Sequence, residues 1–221
     1  MQAACARGEE TRDGGRGLPP DPSLRGKEGE SVEKLLARWF LRLAGWQTEG
    51  AKPAASCCVL IAAPHTSNWD LAFLLAFAAV FEVRISWMGK DALFRPPFGW
   101  LMRRTGGIAI VRHERGGMVA QAARMLTSAK ELMLVVPAEG TRGHVSHWKS
   151  GFYHIARAAN VPIVLGYLDY GRRRGGFGPA IEATGDVRAD MDKIRAFYAD
   201  KVARFPERFG DVRLKEEDEA K

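Results

Sequence analysis

With 221 residues, 46% of them hydrophobic and 27% charged, the chain has the make-up of one globular domain with a proper core, which excludes a disordered, collagenous or fibrous protein. Its 33 Lys and Arg against 26 Asp and Glu leave a formal charge of +7. Residues 1–30 carry −1 and residues 206–221 carry −2, so +10 falls on residues 31–205, pointing to an anionic partner: nucleic acid, a lipid surface or a phosphorylated ligand.

Residues 1–30 are rich in Gly, Pro and charge and hold no apolar stretch of secretory-signal length; they are expected to form a disordered tail. Ser31 is a good helix N-cap, and Val32, Leu35, Leu36, Trp39, Phe40 and Leu43 then recur at helical spacing until Gly45, with Arg38 and Arg42 on another face. The plain expectation is that this stripe packs on the core. The alternative is an interfacial helix, since Trp and Phe flanked by Arg suit the headgroup boundary of a bilayer.

Short apolar runs alternate with helical patterns from there on. Strands are predicted over 57–63, 84–89, 107–111, 132–136 and 161–170, with a last one over 177–182. Helices are predicted over 68–80, 98–104, 118–130, 152–159 and 191–205, and the acidic end is expected to fray. The alternation implies a single α/β domain with a largely parallel central sheet flanked by helices on both faces. The longest apolar run, 71–81, has eleven residues against the roughly 20 needed to cross a bilayer. Cys57 and Cys58 are adjacent and unsuited to a structural bridge, Cys5 stands alone, and no Cys/His spacing fits zinc, so a reducing compartment is expected.

In open α/β sheets ligands gather at the carboxyl ends of strands. Those ends carry His65 and Asp70 after the first strand, Lys90 after the second, Arg112 after the third and Glu139-Gly140-Thr141-Arg142 after the fourth. If residue 67 or 68 caps the helix, Asp70 lies in its first turn and reaches back to one imidazole nitrogen of His65, leaving the other to take a proton. No Gly-x-Ser-x-Gly elbow supplies a nucleophile, so the pair suits activation of a hydroxyl carried by a substrate. Taken singly, each of these residues is equally an ordinary loop histidine, a helix-end carboxylate or a solvated cation. His144 and His147 lack a carboxylate at ligand spacing, and no metal site is expected.

His65-x4-Asp70, the block 107–112, Glu139-Gly140-Thr141-Arg142 and the block 161–164 stand in the order and spacing of four motifs. In them the chain resembles the glycerophospholipid (lysophospholipid) acyltransferases over about residues 57–170. The resemblance implies transfer of a fatty acyl group from a thioester to a lysophospholipid hydroxyl, most simply that of 1-acylglycerol 3-phosphate. It makes His65 the general base and Asp70 its orienting partner. Glu139, Gly140, Thr141 and Arg142 fall to the acceptor site with Arg142 on the phosphate, and Arg112 and Lys90 help to hold that anion. The donor is acyl-CoA or acyl carrier protein, with no cofactor and no metal.

On the same resemblance residues 48–206 form the acyltransferase domain, after the tail 1–30 and an amphipathic helix 31–47, and before a charged tail 207–221. The protein is expected to be cytoplasmic and peripheral on the inner face of an anionic membrane, with no nucleic acid partner. Val111, Pro137-Ala138 and Leu165-Gly166 depart from the usual motifs and keep another acceptor open, such as an ornithine lipid or a glycolipid. From a different class, the alternative is a non-catalytic basic module binding anionic membrane or nucleic acid.

Overall fold

A computed structural model describes residues 31–110 and 117–219. Seven strands, β1 (Gln47–Gly50), β2 (Cys57–Ala63), β3 (Ile85–Lys90), β4 (Gly107–Ile110), β5 (Leu132–Val136), β6 (Ile163–Asp169) and β7 (Arg174–Ile181), form one sheet in the order β1-β7-β6-β2-β5-β3-β4. The five strands from β6 to β4 are mutually parallel; β7 pairs antiparallel with β6, and β1 is parallel to β7. The helices are α1 (Val32–Leu43), α2 (Trp69–Val80), α3 (Gly99–Arg104), α4 (Gly117–Ser128), α5 (Gly151–Ala159), α6 (Val187–Tyr198) and the short α7 (Glu216–Glu219).

The central strands are apolar on both sides because both sides are covered. Val59, Ile61 and Ala63 of β2 pack with Leu126 of α4, Phe152 and Ile155 of α5 and Ile194 of α6. Cys58 and Leu60, pointing the other way, pack with Ala78 of α2 and Phe177 of β7. A helix apolar all round belongs in an interior. Accordingly α2 lies between the sheet and α1, its Phe73, Ala76 and Phe77 meeting Ala37, Leu41 and Trp46. Lys34 pairs with Glu82 at 3.2 Å and Phe40 stacks on Phe73 at 5.3 Å, so α1 runs antiparallel to α2 and its C-terminal end approaches the start of α2.

Ser31 caps α1 as expected, its hydroxyl accepting the N–H of Lys34 at 3.3 Å, and Gly45 leaves the helix at φ +73°. The stripe is the surprise. Val32, Leu36, Trp39 and Leu43 are 66–76% exposed, Leu35 is 47% exposed, and small Ala37 with Leu41 forms the inward face instead. Close approach to the already apolar α2 selects the face with the small residue, and the bulky stripe is left outside.

Three further expectations change. Strand β1 completes the sheet edge beside β7 from a polar sequence, QTEG, that carries no strand periodicity. Helix α6 starts four residues earlier than predicted, its N-cap Asp186 accepting the N–H of Ala189 at 3.0 Å, and it stops at Tyr198. The acidic end does not fray: Leu214 is fully buried, its N–H donates to Glu217 at 2.7 Å, and Arg195 reaches Glu217 at 2.5 Å. Of the acidic side chains that read as a solvated tail in sequence, Glu217 is held by Arg195 of α6, Asp218 by Arg213 and His147, and Glu216 by His154. The expected tail 1–30 lies outside the described residues.

Among the described residues no helix is long and apolar enough to cross a membrane.

Candidate active site

Register fixes which loops meet. Ile61 lies opposite Val136 and Ala63 opposite Tyr167, so β2, β5 and β6 emerge on one edge and deliver residues 64–68, 137–142 and 170 side by side. His65 sits in the first of these loops with its ring about one-fifth exposed, and Nδ1 lies 3.2 Å from Oδ2 of Asp70. Asp70, in the first turn of α2, is nearly sealed and closes the loop on itself: Oδ2 accepts the N–H groups of Thr66 and Ser67, both at 2.9 Å. Local sequence dictates this much, because a carboxylate three and four residues beyond two loop amides is placed as a capping side chain is. No side-chain bond from Asn68 caps the helix; the Ser67 hydroxyl accepts the N–H of Trp69 at 3.2 Å instead.

The Asp70 carboxylate has one more donor, from a distant part of the chain. Tyr170 directs its hydroxyl to Oδ1 at 2.7 Å. Burial, then the hydrogen bond to Asp70 and its charge, push the Tyr170 phenol well above its ordinary value, so its proton stays on. Beyond Tyr170 stands Arg204, its guanidinium 5.9 Å from the centre of the phenol ring. The segment carrying Arg204 is pinned to the same loops, with Tyr170 N–H donating to Val202 O at 2.8 Å and Phe205 N–H to the Thr66 hydroxyl at 3.2 Å.

Glu139, expected at the acceptor site, is set by the structure against the histidine loop. It is fully buried beneath the loop, Oε1 accepting the backbone N–H of His65 at 2.7 Å, while Oε2 has no partner among the described residues. Burial raises its carboxyl to about 7; the His65 N–H works against this and the charge of Asp70 adds to it. Directly after it the chain turns at Gly140 with φ +69°, where a side chain would also press on Lys149 at 3.0 Å, and Gly140 N–H returns to Pro137 O at 3.0 Å. That turn turns Thr141 and Arg142 outward, both exposed, and Arg142 has no ion pair among the described residues.

Lys90 is the last residue of β3, on the same edge of the sheet, and Arg112 lies outside the described residues. The structure thus brings His65, Asp70 and Glu139 into contact, sets Gly140, Thr141 and Arg142 on the adjoining turn, and places Lys90 two strands from β2. Tyr170 and Arg204 had no place in the sequence reading. The available signal was a polar pair, Asp169-Tyr170, ending an otherwise apolar strand at the edge where ligands gather.

Other features resolve as structural. His147 meets Asp218 at 2.9 Å across 71 residues, and no cluster of three or more His, Cys, Asp or Glu among the described residues is placed to hold a metal. A cavity of about 760 Å³ lies between α6 and residues 209–218, and none of His65, Asp70, Glu139, Tyr170 or Arg204 lines it. Its Arg195 and Arg213 are already paired, with Asp192 and Glu217 and with Asp218 respectively.

A parallel α/β sheet with a His–Asp pair and a Glu-Gly-Thr-Arg turn on one edge agrees with what comparison finds. The family model described as Acyltransferase matches residues 48–165, more than half of the chain, and the protein belongs to that family. Among curated proteins no relative matches. Of solved structures, the crystal structure of the 1-acyl-sn-glycerophosphate (LPA) acyltransferase PlsC from Thermotoga maritima superposes with a TM-score of 0.51 over 73% of each chain at 16% identity, a likeness of fold.

Proposed function

We propose that the protein transfers a fatty acyl group from acyl-CoA or acyl carrier protein to the hydroxyl of a lysophospholipid, 1-acylglycerol 3-phosphate being the simplest acceptor. The observation that carries this reading is the 3.2 Å approach of His65 Nδ1 to a sealed Asp70, with the imidazole itself still partly open to solvent. Asp70 holds the ring and offsets the charge that develops on it, and Nε2 takes the proton of the acceptor hydroxyl. The oxygen attacks the thioester carbonyl carbon, and the tetrahedral oxyanion collapses with loss of the C–S bond. The thiolate then recovers the proton from the imidazolium. No cofactor or metal enters these steps.

Arg142 suits the acceptor phosphate: a guanidinium presents paired donors to a phosphate, and this one is exposed beside the pair. Both substrates are amphiphiles, and the exposed Leu36, Trp39 and Leu43 of α1 with Trp69 at the start of α2 suit shallow insertion into an anionic bilayer. That surface would set the site at the lipid boundary. The same face, apolar rather than a row of stacking aromatics among Lys and Arg, speaks for lipid over nucleic acid.

The test is to incubate the purified protein and its His65→Ala variant with isotope-labelled palmitoyl-CoA and a panel of lysolipids, and to analyse the lipids by mass spectrometry. The expected result is labelled phosphatidic acid from 1-acylglycerol 3-phosphate with the wild type and none with the variant. Transfer that survives in the variant, or no acylated lipid from any acceptor, would overturn the proposal.

A further inference from the structure

The His65–Asp70 pair accounts for one side of the Asp70 carboxylate. Its Oδ2 is committed to the Thr66 and Ser67 amides and faces His65; Oδ1 has a single donor among the described residues, the Tyr170 hydroxyl at 2.7 Å. We infer that Tyr170 is a positioning residue of the site, setting through Asp70 both the orientation of the His65 imidazole and the share of negative charge that it feels. The inference rests on the acyl-transfer reading of that pair.

Geometry leaves Tyr170 little freedom to do otherwise. Its ring is held edge-on by Trp46 at 4.8 Å and by Phe73 at 6.0 Å, and Arg204 covers it from the segment after α6. Its own N–H is tied to Val202 O, while Val202 N–H reaches Asp169 Oδ1 at 3.3 Å. The phenol is thus fixed in space from three elements, and its proton points at a carboxylate that solvent barely reaches. The protonated phenol donates to Asp70 while its oxygen accepts from Arg204, so part of the Asp70 charge is drawn away from the imidazole.

Among the described residues, the groups facing the imidazole and its carboxylate are Tyr170 just after β6, Arg204 beyond it, and Glu139 from the exit of β5. The Tyr170 hydroxyl can be deleted while the packed surface remains, because Phe keeps the ring against Trp46 and Phe73. Without the hydroxyl, Oδ1 of Asp70 loses its donor while the Thr66 and Ser67 amides stay on Oδ2, and the imidazole feels more of the carboxylate's charge. The ring then pairs more tightly with its carboxylate and loses one restraint on its orientation.

The experiment uses the full chain with Tyr170→Phe and His65→Ala. The ring signals of His65, identified by their absence from the His65→Ala spectrum, are titrated by NMR; palmitoyl-CoA turnover on 1-oleoylglycerol 3-phosphate is followed by thiol release across pH. In Tyr170→Phe the His65 titration is expected at higher pH, the acid limb of the rate profile moves the same way, and kcat falls at least about 10-fold while both KM values stay within about two-fold. Superimposable titrations overturn the inference, as does a loss of rate equal at every pH. Turnover that persists in His65→Ala overturns the reading of the pair and the inference with it. A dead His65→Ala beside an unshifted Tyr170→Phe overturns the role of Tyr170 alone.

Discussion

Glu139 Oε1 accepts the backbone N–H of His65 at 2.7 Å, joining the exits of β5 and β2 across 74 residues of chain. The carboxyl that makes this bond is buried, half satisfied, and raised to about 7. It serves as a brace under the histidine loop.

That brace gives stability a pH dependence of known sign. Unfolded, the Glu139 carboxyl titrates near 4.5; folded, near 7. Between these values the folded state binds more proton, so the wild type loses stability as pH rises and the loss is complete above about 7. Glu139→Gln, which has no charge to bury, should gain on the wild type by about 2–3 kcal/mol between pH 5 and 8. Urea unfolding at the two pH values measures this; parallel behaviour of the two proteins would refute it.

Arg142 is exposed on the turn that follows the brace. Arg142→Ala should raise KM for 1-acylglycerol 3-phosphate roughly 10- to 100-fold, the worth of a charged hydrogen-bonded contact, with kcat changed far less. A monoacylglycerol acceptor lacking the phosphate is the control. Equal losses on both acceptors would remove Arg142 from the phosphate.

The outward stripe of α1 separates binding from folding. Leu36 and Trp39 are both 66% exposed, so Leu36→Ser with Trp39→Ser should leave the melting temperature where it is. Apolar insertion lost at two side chains should weaken sedimentation with phosphatidylglycerol vesicles by at least about 10-fold. Unchanged sedimentation would exclude α1 as the lipid-facing surface.

Leu214 tests whether the end of the chain is part of the domain. It is fully buried, and the adjoining Glu217 holds both its N–H and Arg195. Leu214→Ala should cost about 2–5 kcal/mol in urea unfolding, as expected for a large side chain removed from a core. A frayed end would show no loss.

The sequence by itself determined the strands β2, β5 and β6, whose apolar runs have room only inside a sheet covered on both faces, and the apolar α2 that covers it. It also determined the His65–Asp70 approach, because both residues belong to one turn where spacing alone sets what can touch. Only the tertiary structure decided which face of α1 lies inward, since periodicity reveals a stripe without saying where it points. It alone set Glu139 against the His65 backbone and brought in Tyr170, Arg204 and the C-terminal segment, joined to their partners over 74, 100 and 22 or more residues. Contacts of that span depend on strand order and on where a helix stops, and α6, ending at Tyr198, frees the very segment that reaches the site.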